Sequence, residues 1–207
     1  MKVCGVTTVA DARLAVDLGA DLVGLNFYPP SPRHLEVGPA REISRAIADR
    51  ALKVGVFVDR PVDEIDDIDR RVGLDLIQLH GDESPAQVAH WGERALPAIR
   101  VPARQREPLD AGLLEDYPRA WGFLFDIRHA AYGGTGIAWN YDTLAPLEGS
   151  RPRLVAGGID APSVRRALAA SGATGVDVCS GVESAPGLKD PEKMRRFFEE
   201  VRHGARD

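Results

Sequence analysis

V-D-V-C-S-G-V-E-S-A-P-G-L-K-D, residues 176–190, decides how the chain is read. The apolar run over 175–178 reads as the end of a buried strand, broken by Ser180-Gly181 and then by a loop with Pro186 and Gly187. Helical spacing begins near Pro191. Small residues between a strand and a helix leave backbone N–H groups exposed, and such groups hold phosphate well. They equally suit an ordinary turn whose glycines serve its geometry. The phosphate reading gains support from the preceding strand, which ends in Ala156-Gly157-Gly158.

Upstream, short apolar runs alternate with amphipathic segments. Strands are expected at 2–6, 22–27, 53–58, 74–79, 96–101, 121–125, 153–156 and 175–178. The runs are continuous, as in parallel strands covered on both faces. Helices are expected at 8–18, 39–50, 61–72, 84–91, 160–170 and 190–201, most opened by a capping residue or a proline. Two more are poorly marked, one within 107–117 and one after Trp139, where Pro146 limits its length. Eight units in 207 residues average about 26 residues each, near the lower end for a (β/α)8 barrel. A doubly wound open sheet is the alternative, but no G-x-G-x-x-G follows strand 1. Phosphate-type ends on the last two strands also favour the barrel. The expected architecture is α/β: a single-domain TIM barrel of eight parallel strands over residues 1–207.

Charge and composition narrow the function. Lys and Arg number 26 against 31 Asp and Glu, a net charge of −5 with no basic patch, so nucleic acid is not expected as a partner. No apolar run approaches the ~20 residues of a membrane span. Met1 leads almost directly into an expected strand, so a signal peptide is not expected. Two cysteines make no disulfide framework, and five histidines show no metal-ligand spacing. A cytoplasmic monomer or homodimer without metal is expected.

In such a barrel, chemistry sits at the C-terminal ends of the strands. Those positions carry Cys4, Asn26, Gln78, His80, Arg100, Asp126, Gly157, Gly158, Asp177, Ser180 and Gly181, with Arg33 in the loop after strand 2. Each has a bland reading. Cys4 could be a small buried hydrophobe, Asp126 a cap or turn residue, His80 a satisfied buried imidazole. Arg33 could cap a loop or pair with Glu36. Together they form a polar ring with one thiol, one carboxylate and a phosphate clamp.

The motifs K-V-C-G-V-T at 2–7, F-Y-P-P-S-P-R at 27–33, V-G-V-F-V at 54–58, Q-L-H-G-D-E at 78–83, A-I-R-V at 98–101, Y-G-G-T-G at 132–136, A-G-G-I at 156–159 and D-V-C-S-G-V-E-x-x-x-G-x-K-D at 177–190 run almost the length of the chain. In this order, the set resembles the phosphoribosylanthranilate isomerase family of tryptophan biosynthesis. The resemblance implies a cofactor-free aldose–ketose isomerase. It would convert N-(5-phosphoribosyl)anthranilate to 1-(o-carboxyphenylamino)-1-deoxyribulose 5-phosphate by an Amadori rearrangement, the third step from chorismate. It also implies Cys4 as general base and Asp126 as general acid. Arg33 would face the anthranilate carboxylate, with Asn26, His80 and Asp177 lining the pocket. Gly157, Gly158, Ser180 and Gly181 would hold phosphate, and 132–136 would form a lid. A base thiol must be partly deprotonated, and an acid carboxyl must keep its proton near neutral pH. Asp177 would be a charge that helps Asp126 do so.

The chain departs from the family in carrying Cys179 where a serine is usual, and in reading G-I-A-W-N-Y-D over 136–142. Barrel closure would make strands 8 and 1 neighbours, which raises a reversible Cys4–Cys179 link; a packed cysteine standing in for serine is the simpler reading in a reducing cytosol. The rival readings are another phosphosugar-binding barrel enzyme, a dual-substrate isomerase also serving histidine biosynthesis, and a non-catalytic barrel that only binds a phosphorylated ligand. An indole-forming barrel enzyme would want a strand-end lysine, and Lys2, Lys53, Lys189 and Lys193 are expected elsewhere.

Overall fold

The computed structural model describes residues 1–128, 140–145, 147 and 149–204. Eight parallel strands close into a barrel: β1 (Lys2–Val3), β2 (Leu22–Asn26), β3 (Leu52–Phe57), β4 (Leu76–Leu79), β5 (Ala95–Pro102), β6 (Phe123–Arg128), β7 (Arg153–Val155) and β8 (Gly175–Val178). β1 pairs with β8 as well as β2, so the open-sheet alternative is excluded.

The helices follow their local signals. In α1 (Val9–Leu18), Thr8 accepts from the Asp11 amide and Gly19 ends the helix at φ 101°. Only glycine takes that left-handed turn without cost. α2 (Val37–Ile47) starts two residues before Pro39, and α3 (Val62–Val72) ends on Gly73. α4 (Pro85–Ala89) opens with a Ser84/Gln87 capping box. α5 (Val164–Ser171) begins later than expected, because residues 160–163 form a turn closed by Ser163 on Asp160. α6 (Pro191–Gly204) is capped by Asp190 Oδ1, which accepts from the Glu192 and Lys193 amides. The two faint helices are single 3₁₀ turns, Ala111–Leu114 and Tyr141–Leu144. An unexpected hairpin, β9 (Glu183–Ala185) with β10 (Leu188–Lys189), lies between β8 and α6.

Side chains alternate across a strand, so each strand serves two surfaces. Val3, Val23, Leu25, Phe57, Ile77, Phe123, Phe125 and Val176 face outward into the main core with the helices. Leu22, Val54, Leu76, Leu96, Leu124 and Leu154 pack together inside the barrel. Continuing the inward parity toward the C-terminal ends gives Gly24 and Asn26 above Leu22, Gln78 above Leu76, and Asp126 above Leu124. An apolar plug thus becomes a polar floor within one or two pleats.

Candidate active site

That floor opens into a cleft of about 820 Å³ that includes open solvent. It is lined by Cys4, Asn26, Arg33, Gln78, His80, Asp126, Gly157, Gly158, Asp177, Cys179 and Ser180, among others. Nine of the ten expected site residues meet there. Gly181 lies behind the wall instead: a Cβ on it would drive into the Ile159 carbonyl and the Asp160 backbone. Its lack of a side chain lets the turn after β8 press against the turn after β7. Gly157 (φ 87°) and Gly158 (φ 64°) both use the left-handed region. The Tyr141 hydroxyl donates to the Gly157 carbonyl at 2.6 Å and steadies that turn. Residues 132–136 lie outside the described residues.

Cys4 sits one residue past β1, where its amide still donates to the Val178 carbonyl at 2.9 Å. Lys2 registers with Asp177 and Val3 with Val178, so Cys4 and Cys179 face each other as the next pair. Both cysteines are free. A hydrogen bond from Cys179, aided by the Lys2 and Lys189 ammonium groups, outweighs burial and holds the Cys4 thiol well below the usual thiol range. The same bond, with burial, pushes the Cys179 thiol well above that range. The two shifts run in opposite directions, as they do for two thiols that share one hydrogen bond.

Lys2 lies beneath the cleft and does not line it. It is fully buried and donates to Asp177 Oδ2 at 2.9 Å. Asp177 Oδ1 is buried with no hydrogen-bond partner among the described residues. Burial, against the pull of Lys2, lifts the Asp177 carboxyl to about 7.

Asp126 lies within β6, which runs three residues further than expected. Its Oδ1 accepts from the Ile127 amide at 2.8 Å, and Oδ2 is 3.3 Å from His80 Nε2. The amide nitrogen of Gln78 lies 2.8 Å from His80 Nδ1. An amide nitrogen only donates, so Nδ1 accepts and the ring proton sits on Nε2, toward Asp126. Asn26 Oδ1 accepts from the Tyr28 amide and its Nδ2 donates to Ser31, bracing the loop that carries Arg33.

Arg33 pairs neither with Glu36 nor with solvent. Its Nε and Nη2 donate to Glu183 Oε1 and Oε2 at 2.9 and 2.6 Å, a buried bidentate pair. Glu183 also accepts from Lys189 Nζ at 2.9 Å. Nη1 of Arg33 has no partner among the described residues. Glu183 and Lys189 went unread as site residues because they lie on the unforeseen hairpin; their charge at buried β9 and β10 positions was the available signal. Among the described residues, no group of three or more His, Cys, Asp or Glu could hold a metal, and no helix is long and apolar enough to cross a membrane.

Comparison with known proteins gives a consistent result. Residues 1–200 match the family model for N-(5'-phosphoribosyl)anthranilate (PRA) isomerase. The chain is 40% identical over 203 residues to N-(5'-phosphoribosyl)anthranilate isomerase of Geotalea daltonii, covering 98% of this chain and 96% of the relative. It is similar to the crystal structure of phosphoribosyl anthranilate isomerase from Thermus thermophilus, with TM-score 0.86, 32% identity and 98% of each chain covered. A phosphoribosyl anthranilate isomerase in complex with reduced 1-(o-carboxyphenylamino)-1-deoxyribulose 5-phosphate is also similar, with TM-score 0.82, 30% identity, and 98% of this chain and 97% of that one covered.

Proposed function

The chain belongs to the N-(5'-phosphoribosyl)anthranilate isomerase family, and from this premise we propose that it isomerises phosphoribosylanthranilate in tryptophan biosynthesis, with Asp126 as acid and Cys4 as base. Asp126 protonates the furanose ring oxygen, the C1–O bond breaks, and the anilino nitrogen's lone pair closes an iminium. The Cys4 thiolate then removes the C2 proton to leave an enolamine, which tautomerises to the ketone. The reaction shifts hydrogen within one molecule, so it needs no redox cofactor.

The observation that carries this reading is that Cys4 and Asp126 line one cleft from strands three apart around the barrel. A sugar between them would meet a base on one side and an acid on the other. Gln78 and His80 hold the Asp126 carboxyl in place from one side. Arg33, steadied by Glu183, turns Nη1 to the anthranilate carboxylate. Backbone amides of the turns at Gly157-Gly158 and Ser180 take the phosphate. The relative crystallised with a reduced product carries the same three chemical elements: a sugar phosphate, an amine link and a benzoate.

The test follows the loss of substrate fluorescence. Cys4→Ala and Asp126→Asn should each lower kcat by about 10²–10⁴-fold, the usual contribution of a general base or acid. Wild-type turnover in both variants would overturn the assignment.

A further inference from the structure

A fully buried cation sits on the face shared by β1 and β8, and the proposed proton transfers do not consume it. An ammonium leaves water only where nearby anions offset the loss. For Lys2 one anion is Asp177, at 2.9 Å. The second candidate is the sulfur of Cys4. Lys2 and Cys4 are two residues apart in an extended segment and emerge on the same face. Gly24, across from them on β2, has no side chain to fill the space between. A Cβ there would lie 2.8 Å from Cys4 Sγ and 3.2 Å from Lys2 Nζ, so sulfur and ammonium border the same small hollow.

We propose that Lys2 is a positioning residue for the base, its ammonium shared between Asp177 and Cys4 so that the deprotonated sulfur has a counter-charge inside the barrel. The proposal rests on the reading of Cys4 as base. Other charged or titratable groups also act on the sulfur: Cys179 beyond β8, Lys189 on β10 and Arg33 in the loop after β2. Glu183 already ties up Arg33 and Lys189 through 2.6–2.9 Å contacts. Lys2 has no such outside claim on it: its two anions are Asp177 and Cys4, and they compete. Removing Lys2 should make the thiolate harder to form. Removing the charge of Asp177 should make it easier.

The readout is the pH dependence of iodoacetamide alkylation at Cys4, resolved by peptide mass spectrometry, beside the acidic limb of kcat. In Lys2→Met the alkylation profile should move up by about one unit or more, making Cys4 roughly tenfold less reactive at pH 7. Lys2→Arg should restore most of the loss. Asp177→Asn should move the profile the opposite way. If Lys2→Met does not fold, Lys2→Met/Asp177→Asn removes both buried charges, and its profile should lie above that of Asp177→Asn alone. A Lys2→Met profile that matches wild type, or a double variant that matches Asp177→Asn, overturns the proposal, as does a shift of Asp177→Asn in the same direction as Lys2→Met. Cys4→Ala separates the two ideas. Wild-type turnover there defeats the base reading, whereas an inactive Cys4→Ala with an unmoved Lys2→Met profile defeats only the role of Lys2.

Discussion

Truncating Glu183 tests the charge frame beneath the cleft. Its carboxylate accepts from Arg33 at 2.9 and 2.6 Å, from Lys189 at 2.9 Å and from the Gly187 amide at 3.3 Å. Arg33, Glu183 and Lys189 are 7%, 6% and 3% exposed, so water screens little of this. Glu183→Ala would leave one guanidinium and one ammonium buried without their anion. Removing one partner of a buried pair costs about 3–5 kcal/mol. A chain of this size loses roughly 2–4 °C of Tm per kcal/mol, so calorimetry should show a fall of about 6–20 °C. Burial pushes the Glu183 carboxyl up, but Arg33 and Lys189 outweigh it and hold it below its ordinary value of 4.5. A depressed folded value makes this stabilisation full above 4.5, with loss as pH falls through the folded value. Wild type and variant should therefore converge in stability under acid and differ most near neutral pH. KM should also rise, because the Arg33 fork loses its brace. A Tm drop below about 3 °C near neutral pH, well short of the cost expected for a broken buried pair, would refute the reasoning.

Three further outcomes are expected. Asp177, lifted to about 7 by burial, keeps a proton when folded that the unfolded chain has released; urea denaturation should show stability falling as pH rises from about 4 to about 7, and Asp177→Asn should flatten that window. Gly181→Ala forces a Cβ into the Ile159 carbonyl; stability should fall by about 1–3 kcal/mol, and KM should rise about tenfold as the two turns proposed to hold phosphate separate, measured by calorimetry and steady-state kinetics. Hydrogen peroxide should oxidise the Cys4 thiolate to a sulfenic acid, which the Cys179 thiol captures as a disulfide with release of water. Dithiothreitol should then restore wild-type activity, and mass spectrometry should find no intramolecular disulfide in Cys179→Ser.

Local pattern made much of this molecule legible. The strands are apolar runs because parallel strands are covered on both faces, and that signal survives in one dimension. Thr8, Gly19, Ser84, Pro85 and Asp190 marked helix ends because caps answer to backbone groups only a few residues away. Cys4, Asp126 and the glycine turns could be singled out because a barrel places its chemistry at strand ends, wherever those ends fall. The faint fifth and sixth helices are single 3₁₀ turns, since neither stretch carries enough apolar spacing to hold a full helix against the barrel.

What pairs with what lay beyond local pattern. Arg33 finds Glu183 across 150 residues and Lys2 finds Asp177 across 175, contacts that exist only once β8 closes on β1. Nothing local marks Lys2 as buried, yet closure turns it inward and removes its water. Little along the chain shows what holds the Cys4 thiol low, because Cys179 and Lys189 reach it only from other parts of the fold. Electrostatics in a low-dielectric interior acts through space rather than along the backbone, so folding alone assembles the charges that make these residue types reactive.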